Sequence, residues 1–555
     1  MLARRLRSRH RAAVETCMNL APCVARRSRP WRVPAAALGL ALVLFLGSAG
    51  FAHAGEHAAA EPAAGDLAAA DPAQSDDLPP PNILFVAIDD LNDWIEPLGG
   101  HPQAKTPNMN ALADRAALFT RAYAASPACN PSRSALLTGR HTYSTGMYSN
   151  YQRWRDVLVD PVFLPDYFRQ HGYWTGGAGK IFHNGQPSPE SWDDYYPSKE
   201  EPFPAYFYPA PGATVNMPAF PNMYRDFDWA PLDLPTEKTG DFQSVAWALR
   251  QLERSWDKPF FLAVGIYRPH VPWYAPSKYF DMHPLDQVAL PVTMPDDLAD
   301  VPDRGVDLAR RGGDYHRHIV AAGKWREAVQ AYLASVTYAD DLLGRLLKGL
   351  EASSHANNTI VVVWSDHGWQ LGEKEHWRKF ALWENVARVP LFIYAPAGAS
   401  AALPEGTRAA RIDRPVSLID LFPTLTTLAG LPGRAGLDGS SLTLLMASAE
   451  AEWNRPAITT YDYDEYAVRD DRYRYIHYID GAEELYDEAE DPEEWRNLAG
   501  DPAYKDVKAR LKAAFPATPA PMGPTIALMP HHVPPFGSLD QYREYKRQRA
   551  PEPTD

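Results

Sequence analysis

Six short stretches of this chain carry residue types that suit chemistry on a tetrahedral anion. Asp89-Asp90 and Asp366-His367 offer carboxylate oxygens and an imidazole. Clustered carboxylates repel one another, so a divalent cation between them is the economical reading, and an oxygen-rich set suits Ca²⁺, Mg²⁺ or Mn²⁺. Cys129 opens the run Cys129-Asn130-Pro131-Ser132-Arg133, which continues to Leu137-Thr138-Gly139-Arg140. Lys180, His183, His270, Lys379 and Arg133 supply positive charge and proton carriers. An anion undergoing displacement needs cations on its oxygens and a proton for its leaving group. Each feature also has a plainer reading. Asp-Asp can cap a helix, Cys129 can be a buried structural thiol, His270 between Pro269 and Pro272 can cap a loop, and Lys379 can be a surface lysine.

The elements around these residues argue that they converge. Apolar runs at Ile83–Ile88, Tyr173–Ala178, Phe260–Ile266, Thr359–Trp364 and Pro390–Tyr394 read as buried parallel strands. Helical patterns at Asn108–Leu118, Val162–His171, Phe242–Ser255 and Trp325–Leu350 separate them. This alternation predicts an α/β fold with a mostly parallel sheet flanked by helices. Four of the strands are followed closely by Asp89-Asp90, by Lys180 and His183, by His270, and by Asp366-His367. Open α/β sheets bind ligands outside the carboxyl ends of their strands. Pro131 suits the first turn of a helix ending at Gly139, which places Cys129 at a helix N-terminus where anions are favoured.

From about Asp413 the pattern changes. A helix is expected over Ser417–Leu428, then short antiparallel strands at Ala457–Tyr461, Tyr466–Arg469 and Tyr473–Tyr478, ending near Glu484–Asp487. These predict a smaller C-terminal subdomain with its own sheet, and a Pro-rich tail after Pro516 that wraps the surface. The expected division is a leader over 1–54, a disordered linker over 55–80, a catalytic domain over 81–410, and the C-terminal subdomain and tail over 411–555.

The leader is Arg-rich, with an apolar run from Ala35 to Ala52 and a small-x-small site at Ala52-His53-Ala54. It reads as a secretory signal, so a periplasmic or secreted protein with no stable membrane insertion is expected. The other reading of that run is a membrane anchor. Met18 is an alternative start, and Arg26-Arg27 a poorly matching twin-arginine signal. Cleavage removes nine Arg and one Glu, taking the net charge from −14 to −22. Such an acidic surface argues against nucleic acid as a partner. It also removes Cys17 and Cys23, leaving Cys129 without a disulfide partner.

The run Cys129-x-Pro131-Ser132-Arg133 followed by Leu137-Thr138-Gly139-Arg140 resembles the signature of the type I, formylglycine-dependent sulfatases. Further stretches resemble that family over most of residues 82–500. They are Gly179-Lys180-Ile181-Phe182-His183, Arg268-Pro269-His270, Ser365-Asp366-His367-Gly368-Trp369-Gln370-Leu371-Gly372-Glu373, and Glu484-Leu485-Tyr486-Asp487 with Asn497-Leu498. Within the family they look most like the iduronate-2-sulfatase group. The resemblance implies an alkaline-phosphatase-like fold. It implies one Ca²⁺ held by Asp89, Asp90, Asp366, His367 and the modified Cys129, with Cys129 converted to 3-oxoalanine (formylglycine) by a formylglycine-generating enzyme. It further implies a nucleophile at Cys129 held by Arg133, His183 and His270 as proton carriers, and Lys180 and Lys379 on the sulfate oxygens. The chain departs from the group at Lys374-Glu375-His376-Trp377-Arg378, so Trp369, His376 and Trp377 are expected to shape the sugar pocket. Arg153 and the segment 195–235 look like substrate-side insertions. The implied activity is hydrolysis of a sulfate ester of a small sugar or uronate. A phosphonate or phosphodiester hydrolase of the same fold, and a non-catalytic glycan-binding relative, are the competing readings.

Overall fold

The structure is a computed structural model that describes residues 78–183, 188–201, 215–217, 227–311, 313–526 and 535–549. The signal and nearly all of the linker expected before Pro81, and most of segment 195–235, lie outside the described residues. Residues from Asp71 onward belong to one compact unit.

A nine-stranded sheet forms its centre. Strands β1 (Asn82–Ile88), β2 (Ala117–Tyr123), β3 (Trp174–Gly179), β4 (Asp194–Tyr196), β5 (Phe260–Ile266), β6 (Thr359–Ser365), β7 (Arg388–Tyr394) and β8 (Ala410–Ile412) lie in the order β8-β2-β7-β6-β1-β5-β3-β4, and Val416–Ser417 also pairs with β2. All pairings are parallel except those of β7, which runs antiparallel to both β2 and β6. Both faces are covered, which is why the strand sequences are apolar throughout rather than alternating. Along β1, Leu84, Val86 and Ile88 enter one core, while Ile83, Phe85 and Ala87 enter the other. The first core is filled largely from helices Gly240–Leu252 and Trp325–Ala352, the second from Leu164–Gln170 and Leu421–Leu428.

The predicted strands and long helices form where the periodicity places them, but the run Pro390–Tyr394, expected as a parallel strand, becomes β7, antiparallel to both of its neighbours, because an apolar run buried on both faces carries no signal of strand direction. The helix expected over Asn108–Leu118 spans only Pro107–Ala113, and β2 begins at Ala117. The Ala-rich start of β2 reads as helix continuation. Pairing with β7 on one side and β8 on the other overrides that local preference.

At the C-terminus, β9 (Ala457–Thr460), β10 (Tyr466–Arg469), β11 (Tyr473–His477) and β12 (Glu483–Asp487) form a separate antiparallel meander. The expected helix over Ser417–Leu428 is a short 3₁₀ turn, Leu418–Asp420, leading into Leu421–Leu428. In the tail, Thr525 bridges to Gln152, and a last helix spans Leu539–Arg549.

Two glycines let β3 and β5 meet closely at the functional edge. Gly179 has φ of 72°, and a Cβ there would overlap the Gly265 carbonyl oxygen. A Cβ at Gly265 would overlap the backbone of Lys180. Gly265→Ala is therefore expected to cost about 3 kcal/mol of stability. Urea unfolding of the purified variant checks it, with a lowered midpoint at unchanged slope as the expected result.

Candidate active site

β6, β1, β5 and β3 are consecutive in the sheet, so their carboxyl ends form one continuous edge. Asp89-Asp90 follow β1, Lys180 and His183 follow β3, His270 follows β5, and Asp366-His367 follow β6. Backbone pairing continues past the strand ends, with Asp89 N–H donating to Ile266 O at 3.0 Å and Lys180 N–H to Gly265 O at 3.2 Å. Asp90 adopts φ of 60°, an unusual conformation that Asp tolerates better than most residues. Its N–H donates to Asp366 Oδ1 at 3.2 Å and its carbonyl accepts from Tyr332 Oη at 2.8 Å, which holds that geometry.

Cys129 is the first residue of helix Cys129–Thr138, which ends on Gly139 in the left-handed region. The side chain is 1% exposed. Its sulfur lies 2.9 Å from Lys379 Nζ, 3.3 Å from His367 Nε2 and 3.5 Å from Lys180 Nζ, and His183 is near enough to influence its ionisation. Burial alone would raise the thiol, yet Lys180, Lys379 and His367 carry it well below its ordinary value. Lys379 reaches the site because the hairpin Gln370–Leu371/Trp377–Arg378 ends just before it, and because Phe380 N–H is tied to Pro127 O at 3.1 Å.

A buried ion network surrounds this sulfur. Arg133 donates from Nε to Asp366 Oδ2 at 2.7 Å, from Nη2 to Asp89 Oδ1 at 3.1 Å, and from Nη1 to the carbonyls of Lys180 and Ile181. Lys180 Nζ pairs with Asp89, and Lys379 Nζ with Asp90 Oδ1 at 2.8 Å. Burial opposes ionisation of Asp89, but Lys180 and Arg133 draw its carboxyl well below the usual range. Burial pushes Asp366 up to about 6, against the pull of Arg133. For His367, burial works downward and is outweighed by Asp366, which holds the imidazole up at about 9. Burial lowers His183, keeping its ring neutral at neutral pH.

These residues fit a divalent cation. Donor atoms of Asp89, Asp90, Cys129 and His367 all lie within 4.8 Å of one another. Asp90 Oδ2 is buried without a hydrogen-bond partner, and burying an unpaired carboxylate oxygen is costly unless something charged meets it. Asp366 adjoins the four, its Oδ2 lying 3.7 Å from His367 Nε2, with its oxygens turned to Arg133 and the Asp90 N–H. A cation bound by His367 must displace the ring proton, because only neutral imidazole ligates.

Of the two histidines expected to carry protons, His183 lies near enough to the sulfur for the two groups to shift one another's ionisation. His270 lies 3.9 Å from Asp90 Oδ2 with its side chain 19% exposed, on the open side of the site. Trp369 and His376 do not line a sugar pocket as expected, and this is a correction. Trp369 is fully buried against Trp273, with Lys379 Nζ 5.7 Å from its ring centre. Both His376 ring nitrogens face carbonyls, Ala309 O at 2.8 Å and Lys379 O at 3.0 Å. The buried aromatic-rich hairpin draws both inward, where they brace Lys379 rather than meet a ligand. Trp377 is likewise buried.

Several supports were not anticipated. Ser132 Oγ donates to Asp366 O at 2.6 Å, and Ser365 Oγ accepts from Leu91 N–H and donates to His367 O, both at 3.0 Å. Asn92 Nδ2 donates to Trp369 O at 3.0 Å, and Tyr332 reaches in from the long helix. Ser132 and Ser365 sit inside the motifs and could have been suspected. Nothing local marks Tyr332.

Comparison with known proteins identifies the family. The family described as Sulfatase matches residues 81–431, and that described as N-sulphoglucosamine sulphohydrolase, C-terminal, matches residues 372–518. A sulfatase of Formosa agariphila is 39% identical over 453 residues, covering 79% of this chain and 87% of that protein. Human iduronate 2-sulfatase is 33% identical, covering 63% of this chain and 69% of its own. The crystal structure of a phosphonate monoester hydrolase of Agrobacterium radiobacter shares the fold with a TM-score of 0.64 at 22% identity, over 78% of this chain and 94% of that one. The chain belongs to the sulfatase family and is a sulfuric ester hydrolase with an alkaline-phosphatase-like fold.

Proposed function

We propose that this enzyme hydrolyses the sulfate ester of a small sugar or uronate, in the manner of an iduronate-2-sulfatase, using a formylglycine made from Cys129. The observation that carries the reading is the Cys129 sulfur, buried at a helix N-terminus with Lys379, His367 and Lys180 within 2.9–3.5 Å. That sulfur stands in for the reacting oxygen of the converted residue. The converted residue supplies a hydroxyl nucleophile together with an elimination route that releases sulfate. Asp89, Asp90, His367 and the residue at 129, with Asp366 beside them, would hold a Ca²⁺ ion whose charge the sulfate oxygens share.

The chain's own side chains do the rest. Lys180 and Lys379 flank the nucleophile and can each take a sulfate oxygen, replacing part of its hydration with fixed charge. Arg133 aligns Asp89 and Asp366 and pins the backbone after β3. His270, partly exposed, is placed to donate a proton to the leaving oxygen. His183, partly buried, is placed to accept a proton from the residue at 129. The similarity to iduronate 2-sulfatase supports a sulfated carbohydrate as partner. The leader supports a periplasmic or secreted enzyme, matured by a formylglycine-generating enzyme and acting in glycosaminoglycan breakdown.

Activity against a panel of defined sulfated mono- and disaccharides tests the substrate class. Turnover confined to aryl esters or choline sulfate would refute the sugar assignment, and faster turnover of matched phosphodiesters would favour the phosphonate-type reading. Mass spectrometry of the peptide carrying residue 129 is expected to show the aldehyde, and Cys129→Ala to abolish turnover with the fold retained. An intact thiol in active enzyme would contradict the mechanism. Because burial lowers His183 below 6.5, a catalytic base there is lost only as pH falls below that value. The acid limb of kcat should therefore lie below pH 6.5. His183→Asn should remove the limb and reduce kcat by roughly 10²–10⁴-fold.

A further inference from the structure

The helix that presents Cys129 begins without a cap of its own. Its N-cap is Ala128, which has no side-chain acceptor for the free N–H groups of the first turn. The loop at 149–152 takes that part. Asn150 Oδ1 accepts from Asn130 N–H at 2.8 Å, and Asn130 Nδ2 donates to Ser149 O at 3.2 Å and Gln152 O at 2.7 Å. Asn130 and Gln152 are both buried.

The loop is in turn shaped by the Gln152 carboxamide. Its Oε1 accepts from Tyr148 N–H at 2.6 Å and Ser149 N–H at 2.9 Å, while Nε2 donates to Gly146 O at 2.8 Å and to Gly523 O at 3.0 Å. The last partner comes from the tail, more than 370 residues along the chain. The tail docks along the same loop. Ala520 N–H donates to Tyr143 O at 2.7 Å, Gly523 N–H to Gly146 O at 3.0 Å, and Ile526 N–H to Tyr151 O at 2.7 Å. Tyr148 Oη donates to Ala520 O at 2.7 Å. The fit is close, since a Cβ on Gly523 would lie 2.7 Å from both Val157 methyls. Residues 519–526 lie beyond both family matches, which end at 431 and 518. The family pattern does not account for this strap.

We propose that the strap 519–526 is part of the catalytic apparatus, and that Gln152 is a positioning residue through which it fixes residue 129. The inference rests on residue 129 carrying the nucleophile. Tail docking sets the loop, the loop caps the helix, and the helix start aims the reacting atom. Small misplacements of a reacting atom cost rate far more than they cost substrate binding.

Two variants of the full chain attack the contact from opposite sides. Gln152→Glu keeps an acceptor for Tyr148 and Ser149 but sets an oxygen against Gly146 O and Gly523 O. Gly523→Val clashes with Val157 and lifts the strap. Each is expected to lower kcat by about 10- to 100-fold with KM within about threefold, counted per folded molecule bearing formylglycine. The double variant should be no worse than the poorer single, because both break one linkage. Should Gly523→Val not fold, Ile526→Pro removes only the bond to Tyr151 and should show a smaller fall in kcat with the same unchanged KM. Unchanged kcat with a lowered melting temperature would mean a merely structural strap and would overturn the proposal, as would losses that multiply in the double variant. A wild-type chain that prefers phosphonate esters would count against the sulfated-sugar reading alone. The same ratios would then be read with that ester.

Discussion

Charge compensation among buried side chains is the constraint on which the site depends. Asp89, Asp90 and Asp366 are all buried at one sheet edge. Two carboxylates 4 Å apart repel by about 4 kcal/mol at an effective dielectric near 20. Arg133, Lys180 and Lys379 answer them with three cations, the two lysines also lying within 3.5 Å of the Cys129 sulfur. The balance leaves Asp90 Oδ2 unmet, at the place where the ligand atoms of Asp89, Asp90, Cys129 and His367 gather. The network serves two purposes. It holds four strand ends together, and it presents positive charge beside the Cys129 sulfur.

The sheet supplies the precision this requires. β6, β1, β5 and β3 are neighbours with parallel register, so residues following each strand emerge at the same level. Apolar packing on both faces leaves those strands little freedom, and a site built from rigid elements keeps its geometry better than one built on loops. The elements that are not strands need separate anchoring. The Lys379 segment is fixed by its hairpin, by His376 and by Phe380. The Cys129 helix is fixed by Asn150, Asn130 and, through Gln152, the distant tail.

Comparison of sequence with structure separates two kinds of error. Strands such as Ile83–Ile88 and Thr359–Trp364 were legible because continuous apolar runs of that length can be buried on both faces. β2 was not, because Ala117–Tyr123 has no distinctive period and becomes a strand only through partners supplied by β7 and β8. Trp369 and His376 were misplaced for a related reason. Their position beside the motif is visible in the chain, but the direction in which the hairpin turns them is not.

The sequence by itself determined the chemistry. Residue types at four strand ends, and the run from Cys129 to Arg140, mark the family and the charged cluster its fold carries, because these signals are local. Tertiary structure alone decided which of those residues meet. It brought His183 near the sulfur, left His270 at the open side, turned Trp369 and His376 inward as supports, and drew Tyr332, Gln152 and the tail into service. Tyr332 and the tail reach their partners across hundreds of positions of the chain, through a few hydrogen bonds. A backbone carbonyl or amide can serve there whatever its side chain, so such contacts leave no pattern in the amino-acid sequence.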